Sequence, residues 1–431
     1  MIETLRNAWK IEELRKKILY TIMIVFIYRI GAAIPVPFMS ADALQAMVDS
    51  TGSMLGFLNN MTGGAFANAT LFAMSISPYI TSSIVIQLLT VAIPALEQMA
   101  KEGAEGRKRL TQITRYTTLG LALLQSIAYY ILNRNMGALA YYDGFSGVFS
   151  ALVIILTFTA GAILIVWLGE SIDRKGIGNG ISMILFAGII SRGSSVISTV
   201  ALYLERAKEG ETQFYIILPI LGIVFLGIIF AIVLMTNAER RIPVQYAKRV
   251  VGRKMYGGQS SYIPVKVTMS GVMPVIFASA LLSIPGMVKG FIDPNAERWV
   301  GKILGLFDYN TWFYAIIYLL LIIGFNYFYV AIQYNPIQMA NDLRKNNGTI
   351  PGIRPGKPTS DFIAKVIGKI TLVGALFIGA IAVLPIMIGG LAQVNIALGG
   401  TSIIIVVGVA LDSVRQLESQ MMMRHYKGFL E

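Results

Sequence analysis

Ten apolar stretches of membrane-crossing length follow one another along the chain, near 18–38, 71–94, 116–133, 149–169, 181–203, 214–236, 268–288, 311–334, 370–391 and 397–414. A helix rising 1.5 Å per residue needs about 20 apolar residues to cross a hydrocarbon core of about 30 Å, and each stretch approaches that length. The pattern predicts an all-α polytopic membrane protein with ten transmembrane helices. A polar segment at 204–213 (LERAKEGETQ) divides them five and five, and serves as an external hinge. Because five is odd, the halves 18–203 and 214–414 insert in opposite directions. That is the layout of inverted-repeat membrane folds, whose substrate path lies between the halves. Topology alone supports the repeat, since the halves share no convincing sequence identity.

Charge then orients the chain. Only 14% of residues are charged and 55% are hydrophobic, against roughly 25% charged in a soluble domain. Of the 36 basic residues, 28 fall on the N-terminus, the connections after spans 2, 4, 6 and 8, and the C-terminus; the other eight, Arg29 in the first span among them, fall elsewhere. Cytoplasmic loops hold the excess of Lys and Arg, so both termini are expected in the cytoplasm. Residues 1–17 read as a charged amphipathic segment resting on the cytoplasmic membrane surface, not as a cleavable signal. Residues 415–431 form a cytoplasmic tail in which His425, the single histidine, is expected to be solvated. Cysteine is absent, which excludes disulfides and thiolate metal sites.

From span 2 to Leu411 the reading finds no Asp, Glu, Lys or Arg at mid-span. Proton relays, ion-coupled carriers and intramembrane hydrolases keep charge at that depth for work, so a passive conduit or scaffold without catalytic residues, cofactor or metal is expected. Arg29 is expected to snorkel or to meet a backbone carbonyl at a helix interface. The stretch 54–67 (MLGFLNNMTGGAFA) is apolar enough to enter a membrane and too short to cross it. A re-entrant helix inside the protein and an amphipathic helix on the outer surface both fit it.

Two cytoplasmic loops, at about 237–267 and 335–369, are long and basic. The first carries Arg240, Arg241, Lys248, Arg249, Arg253, Lys254 and Lys266 against one acid, Glu239; the second carries Arg354, Lys357, Lys365 and Lys369 around the turn-rich string TIPGIRPGKPTSD. Orientation needs a few charges near span ends. Loops of this length, with arginine and aromatic residues interleaved, point to docking of phosphate-rich or acidic partners. Binding of anionic lipid is the simpler account of the same charges.

Six strings, PYITSSIVIQLLT at 78–90, EGRKRLTQITRYTTL at 105–119, GIGNGIS at 176–182, ERRIPVQYAKR at 239–249, PGIRPG at 351–356 and GGTSIIIVV at 399–407, resemble the SecY family of bacterial protein-conducting channel subunits in order and spacing. The likeness runs from about 14 to 421. It implies an hourglass pore between the two halves, pinched by an aliphatic ring matching Ile76, Ile80, Ile181, Leu185, Ile276 and Ile405. It makes 54–66 an external plug, with Met54, Leu55, Phe57, Leu58, Asn59, Asn60, Gly63, Gly64 and Phe66 as its residues. A lateral gate between spans 2 and 3 and spans 7 and 8 is implied, with Thr81, Gln125 and Thr268 near the seam. Pro78 and Pro274 offer bends there.

By the same likeness the basic loops seat the ribosome or the motor ATPase SecA, through Arg240, Arg241, Lys248, Arg249, Arg253, Lys254, Arg354 and Lys357. Small membrane subunits of SecE and SecG type are implied as partners, signal peptides and translocating polypeptides as clients, and the bacterial cytoplasmic membrane as the site of action. The rival expectation from topology is an inverted-repeat secondary transporter of small solutes.

Overall fold

The computed structural model describes residues 2–41, 44–45, 59, 62–135, 137–209, 213–246, 249–251, 254–256, 260–291, 305–307, 311–392 and 400–427. Helix occupies part or all of every expected span. In chain order the helices are α1 Ile2–Lys10, α2 Glu12–Gly31, α3 Ser77–Ala92, α4 Pro94–Lys101, α5 Ala104–Asn135, α6 Gly144–Lys175, α7 Gly180–Ser191, α8 Gly193–Lys208, α9 Phe214–Asn237, α10 Met273–Phe291, α11 Trp312–Gln333, α12 Pro336–Lys345, α13 Lys357–Ala392 and α14 Gly400–Lys427. Among the described residues, six helical stretches are long and apolar enough to cross a membrane, or seven if α3 and α4, bent by 101°, count as one. Their outward faces are apolar: on α9, Ile216, Ile220, Ile223, Leu226 and Phe230 are all exposed, as lipid contact requires.

The fold is not wholly helical. Strands β1 Glu239–Tyr246, β2 Arg249–Val251, β3 Lys254–Tyr256, β4 Ser260–Lys266 and β5 Gly348–Thr349 occupy the two basic loops. One antiparallel sheet has the order β4-β1-β5, and β2 pairs with β3. The alternation that builds it is local: Ile242, Val244 and Val265 turn inward while Arg240, Arg241 and Gln245 face out, the period of two expected of a half-buried strand. The second loop is also shorter than expected, because α13 begins at Lys357 and carries Lys365 and Lys369.

Helix α1, in the segment expected on the membrane surface, packs on α14, with Ala8, Leu14, Ile177 and Leu417 forming one apolar cluster and Thr4 donating to Glu418 at 3.1 Å. An amphipathic helix buries its apolar stripe wherever it finds one, in lipid or protein. Arg192 stands midway in the expected fifth span, which is therefore not free of charge. It marks the break between α7 and α8. Arg29 lies at a helix interface as expected, but its Nη1 donates to the Ser191 side-chain oxygen at 3.0 Å, not to a carbonyl.

Candidate functional site

The six aliphatic ring candidates come together. Ile76, Ile80, Leu185, Ile276 and Ile405 are buried members of one apolar cluster, with Ile181 half-buried against it. They come from α3, α7, α10 and α14, two helices from each half. Each sits early in its helix. Ile76 caps α3, and the Ile80 amide donates to its carbonyl at 3.1 Å. Pro78 occupies that first turn, where its missing N–H costs nothing. Ile181 follows Asn179, whose side chain accepts from the Ser182 amide at 3.1 Å and caps α7. At Gly180 any Cβ would overlap the Gly169 carbonyl, so α7 and α6 meet closely there. Arg192 lies seven positions beyond Leu185, about 10 Å along a helix axis. All six candidates are apolar.

The segment leading into α3 departs from the expected helix at 71–94. Residues 62–76 form turns, with Ala69 and Ser75 at φ 46 and 47°. Leu71 donates to Ile34 at 2.9 Å, and Val36 donates to Ala69 at 3.0 Å. Of the plug candidates, Asn59, Gly63, Gly64 and Phe66 are described, whereas Met54, Leu55, Phe57, Leu58 and Asn60 lie outside the described residues. Asn59 is buried and accepts from the Ala67 amide at 3.0 Å. Gly63 and Gly64 adopt φ of 68 and 91°, so this end is a turn and not helix. Two buried tyrosines the sequence reading passed over hold it: Tyr129 donates to the Phe66 carbonyl at 2.6 Å and Tyr28 to the Thr62 carbonyl at 3.4 Å. A hydroxyl buried among spans needs a partner, which is the signal that marks them.

The gate candidates are not joined. Thr81 donates to its own helix at Ser77, 3.1 Å away. The buried Gln125 oxygen accepts no hydrogen bond. Thr268 lines a cavity of about 370 Å³, whose polar walls include Asn179, Ser182, Lys266, Asp412 and Arg415 and so draw on both halves. Helix α10 packs against α3 and α5, which brings the two halves together along that seam.

The docking candidates share a platform. β5 pairs with β1 at Gln245–Thr349 and Tyr246–Gly348, and Ile242, Val244, Val265, Leu343, Ile350 and Ile363 form one core beneath both loops. Above it the Arg241 guanidinium stacks 4.7 Å from the Tyr262 ring and donates to Glu239 at 2.7 Å. Those contacts hold its pKa above the ordinary arginine value, with the Glu239 hydrogen bond the largest cause. Arg240 is exposed beside it. Arg249 and Lys254 lie on the β2–β3 hairpin; Lys248 and Arg253 lie outside the described residues. Arg354 is exposed between two glycines held at φ 80 and 102°, Gly352 and Gly356. Its carbonyl accepts from the buried Thr359 hydroxyl at 2.8 Å, which pins the turn. Lys357 opens α13, where a cation opposes the helix dipole by about 0.3–1 kcal/mol.

Comparison with known proteins decides the family. A family model described as SecY matches residues 70–414. The chain belongs to the SecY family. Among its curated relatives are the protein translocase subunit SecY of Mycobacterium tuberculosis (strain ATCC 25618 / H37Rv), 41% identical, and that of Streptomyces coelicolor (strain ATCC BAA-471 / A3(2) / M145), 42% identical, each match covering 100% of both chains. Two solved structures share the fold. One, described as the structure of a protein conducting channel, has a TM-score of 0.64 at 20% identity and covers 94% of this chain and 92% of that one. The other, Sec61 in the canine ribosome-channel complex from the endoplasmic reticulum, has a TM-score of 0.60 at 18% identity, with the same coverage. Among the described residues no group of acidic residues or histidine forms a metal site.

Proposed function

We propose that this SecY-family translocase subunit forms a protein-conducting channel that passes unfolded secretory polypeptides across the bacterial cytoplasmic membrane and releases transmembrane segments sideways into lipid. Ten spans, in inverted halves 18–203 and 214–414, enclose the pore. Both termini lie in the cytoplasm. The ring Ile76, Ile80, Ile181, Leu185, Ile276 and Ile405 is the seal, because an apolar constriction excludes water and ions yet flexible side chains can part around a chain. The plug at 54–66 covers it from outside. The gate opens where α10 meets α3 and α5, near Thr81, Gln125 and Thr268.

Energy comes from a partner docked on the sheet platform, through Arg240, Arg241, Arg354, Lys357 and the hairpin cations: a ribosome or a SecA-type motor. Subunits of SecE and SecG type complete the assembly. The subunit is a conduit and carries out no catalysis of its own. The observation that carries the reading is the meeting of six aliphatic side chains from four helices and both halves in one apolar cluster.

Reconstitution tests it. With the companion subunits and a SecA-type motor in liposomes, an unfolded secretory polypeptide should become protease-protected only when motor and ATP are both present. Solute uptake by the purified chain, coupled to an ion gradient without any motor, would select the secondary transporter instead.

A further inference from the structure

Hydropathy carries span 7 unbroken from 268, yet α10 begins at Met273. Residues 267–272 form a turn in which Gly271 takes φ 61°. Three helices of the C-terminal half pin that turn. The Ser270 hydroxyl donates to Asn326 Oδ1 of α11 at 2.9 Å, with both side chains buried. Val272 fills the notch opposite Gly408 of α14, where an added Cβ would overlap it, and the Val267 carbonyl lies in the same way against Gly374 of α13. The Ile276 amide donates to the Val272 carbonyl at 3.3 Å, so the turn sets where this ring residue stands. Thr268, Ser270 and Val272 also line the cavity described above.

The bond is incomplete. Asn326 Nδ2 is buried with no partner, and an amide with one end unpaired in an apolar setting is costly to keep. A resting arrangement that leaves a donor unpaired is poised to change. Packing alone would have been served by an apolar pair at these two positions.

We propose that Ser270 and Asn326 form a polar staple that holds the start of α10 unwound at rest, fixing Ile276 in the closed ring, and that the staple parts when the channel opens so that 268–272 can move with α10. This rests on the pore reading above. Ser270 and Asn326 are positioning residues, acting on the polypeptide's path through Ile276.

The test uses the assembled channel in proteoliposomes. Ser270→Ala is expected to raise the resting iodide leak about tenfold, the equivalent of one buried hydrogen bond, while Ser270→Thr keeps the hydroxyl and the seal. In Ser270→Cys/Asn326→Cys, whose two cysteines are the only ones in this chain, oxidation verified by thiol titration should cut polypeptide translocation at least tenfold, and reductant should restore it. Equal translocation in oxidised and reduced channels, or a Ser270→Ala seal as tight as the unsubstituted one, overturns the staple. If the unsubstituted assembly moves no polypeptide at all, it is the pore reading that falls.

Discussion

Ile276→Asn is expected to raise the resting ion permeability of the reconstituted channel by about two orders of magnitude, whereas Ile276→Leu leaves it near the unsubstituted level. Ile276 is 2% exposed and touches the same apolar cluster as Ile80, Leu185 and Ile405. An amide placed there finds no hydrogen-bond partner among aliphatic neighbours. Leaving it dry costs about 1–3 kcal/mol, so hydrating the ring becomes the cheaper state. One water at the waist supplies partners for the next, and the barrier that keeps ions out is lost. Leucine conserves volume and polarity, which cores tolerate at under about 1.5 kcal/mol. Iodide efflux from loaded proteoliposomes, without motor or client, is the measurement. An Asn variant as tight as the leucine one would remove the ring from its assigned role.

Arg354→Glu is expected to lower motor-driven translocation by at least about tenfold while the channel still folds and inserts. The guanidinium is exposed and none of its atoms holds the turn: Thr359 binds the backbone carbonyl of Arg354, and Ile350 and Ile353 anchor the flanks in the sheet core. Folding should therefore be indifferent to the side chain, since exposed substitutions away from such features fall within about 0.5 kcal/mol. Docking should not be. Reversing one charge at a buried contact costs about 2–5 kcal/mol, and the platform concentrates Arg240, Arg241 and Lys357 on the same support. Translocation into proteoliposomes, set beside the amount of inserted channel, separates the two effects. Normal translocation by the variant would contradict docking at Arg354.

How much of this was legible depends on which physical signal each feature leaves in the chain. Long apolar runs announce helices, and α5, α6, α9 and α13 cover the expected stretches or overrun them. Hydropathy is blind to a break inside an apolar run. LFAMSI at 71–76 and VTMSGV at 267–272 read as span, and only the backbone at Ser75 and Gly271 reveals turns there. The sheet leaves only a faint signal in a loop dominated by charge, the four-residue alternation Ile242, Pro243, Val244, Gln245. Proline is rare inside sheets, but β5 covers only the end of β1, so Pro243 stands where β1 has no second neighbouring strand.

The ring candidates came from family resemblance, since an i, i+4 pair such as Ile181 and Leu185 serves lipid contact or core equally well. Their convergence needed three dimensions. Tyr28, Tyr129, Ser270 and Asn326 carry no formal charge, so the rule that charge at mid-membrane marks function does not single them out. Each of them makes its bond to a residue distant in sequence, from 34 to 63 positions away.

The central claim is that a polypeptide threads the aliphatic waist. Cysteines introduced singly at Ile80 and Ile276, in a chain that has none of its own, can be crosslinked to a secretory polypeptide stalled in mid-translocation and carrying one cysteine at a stepped position. Adducts should form from both sites, peaking at the same client position and vanishing when the motor is omitted. Crosslinks absent from both sites while the client is protease-protected would contradict a path through the ring.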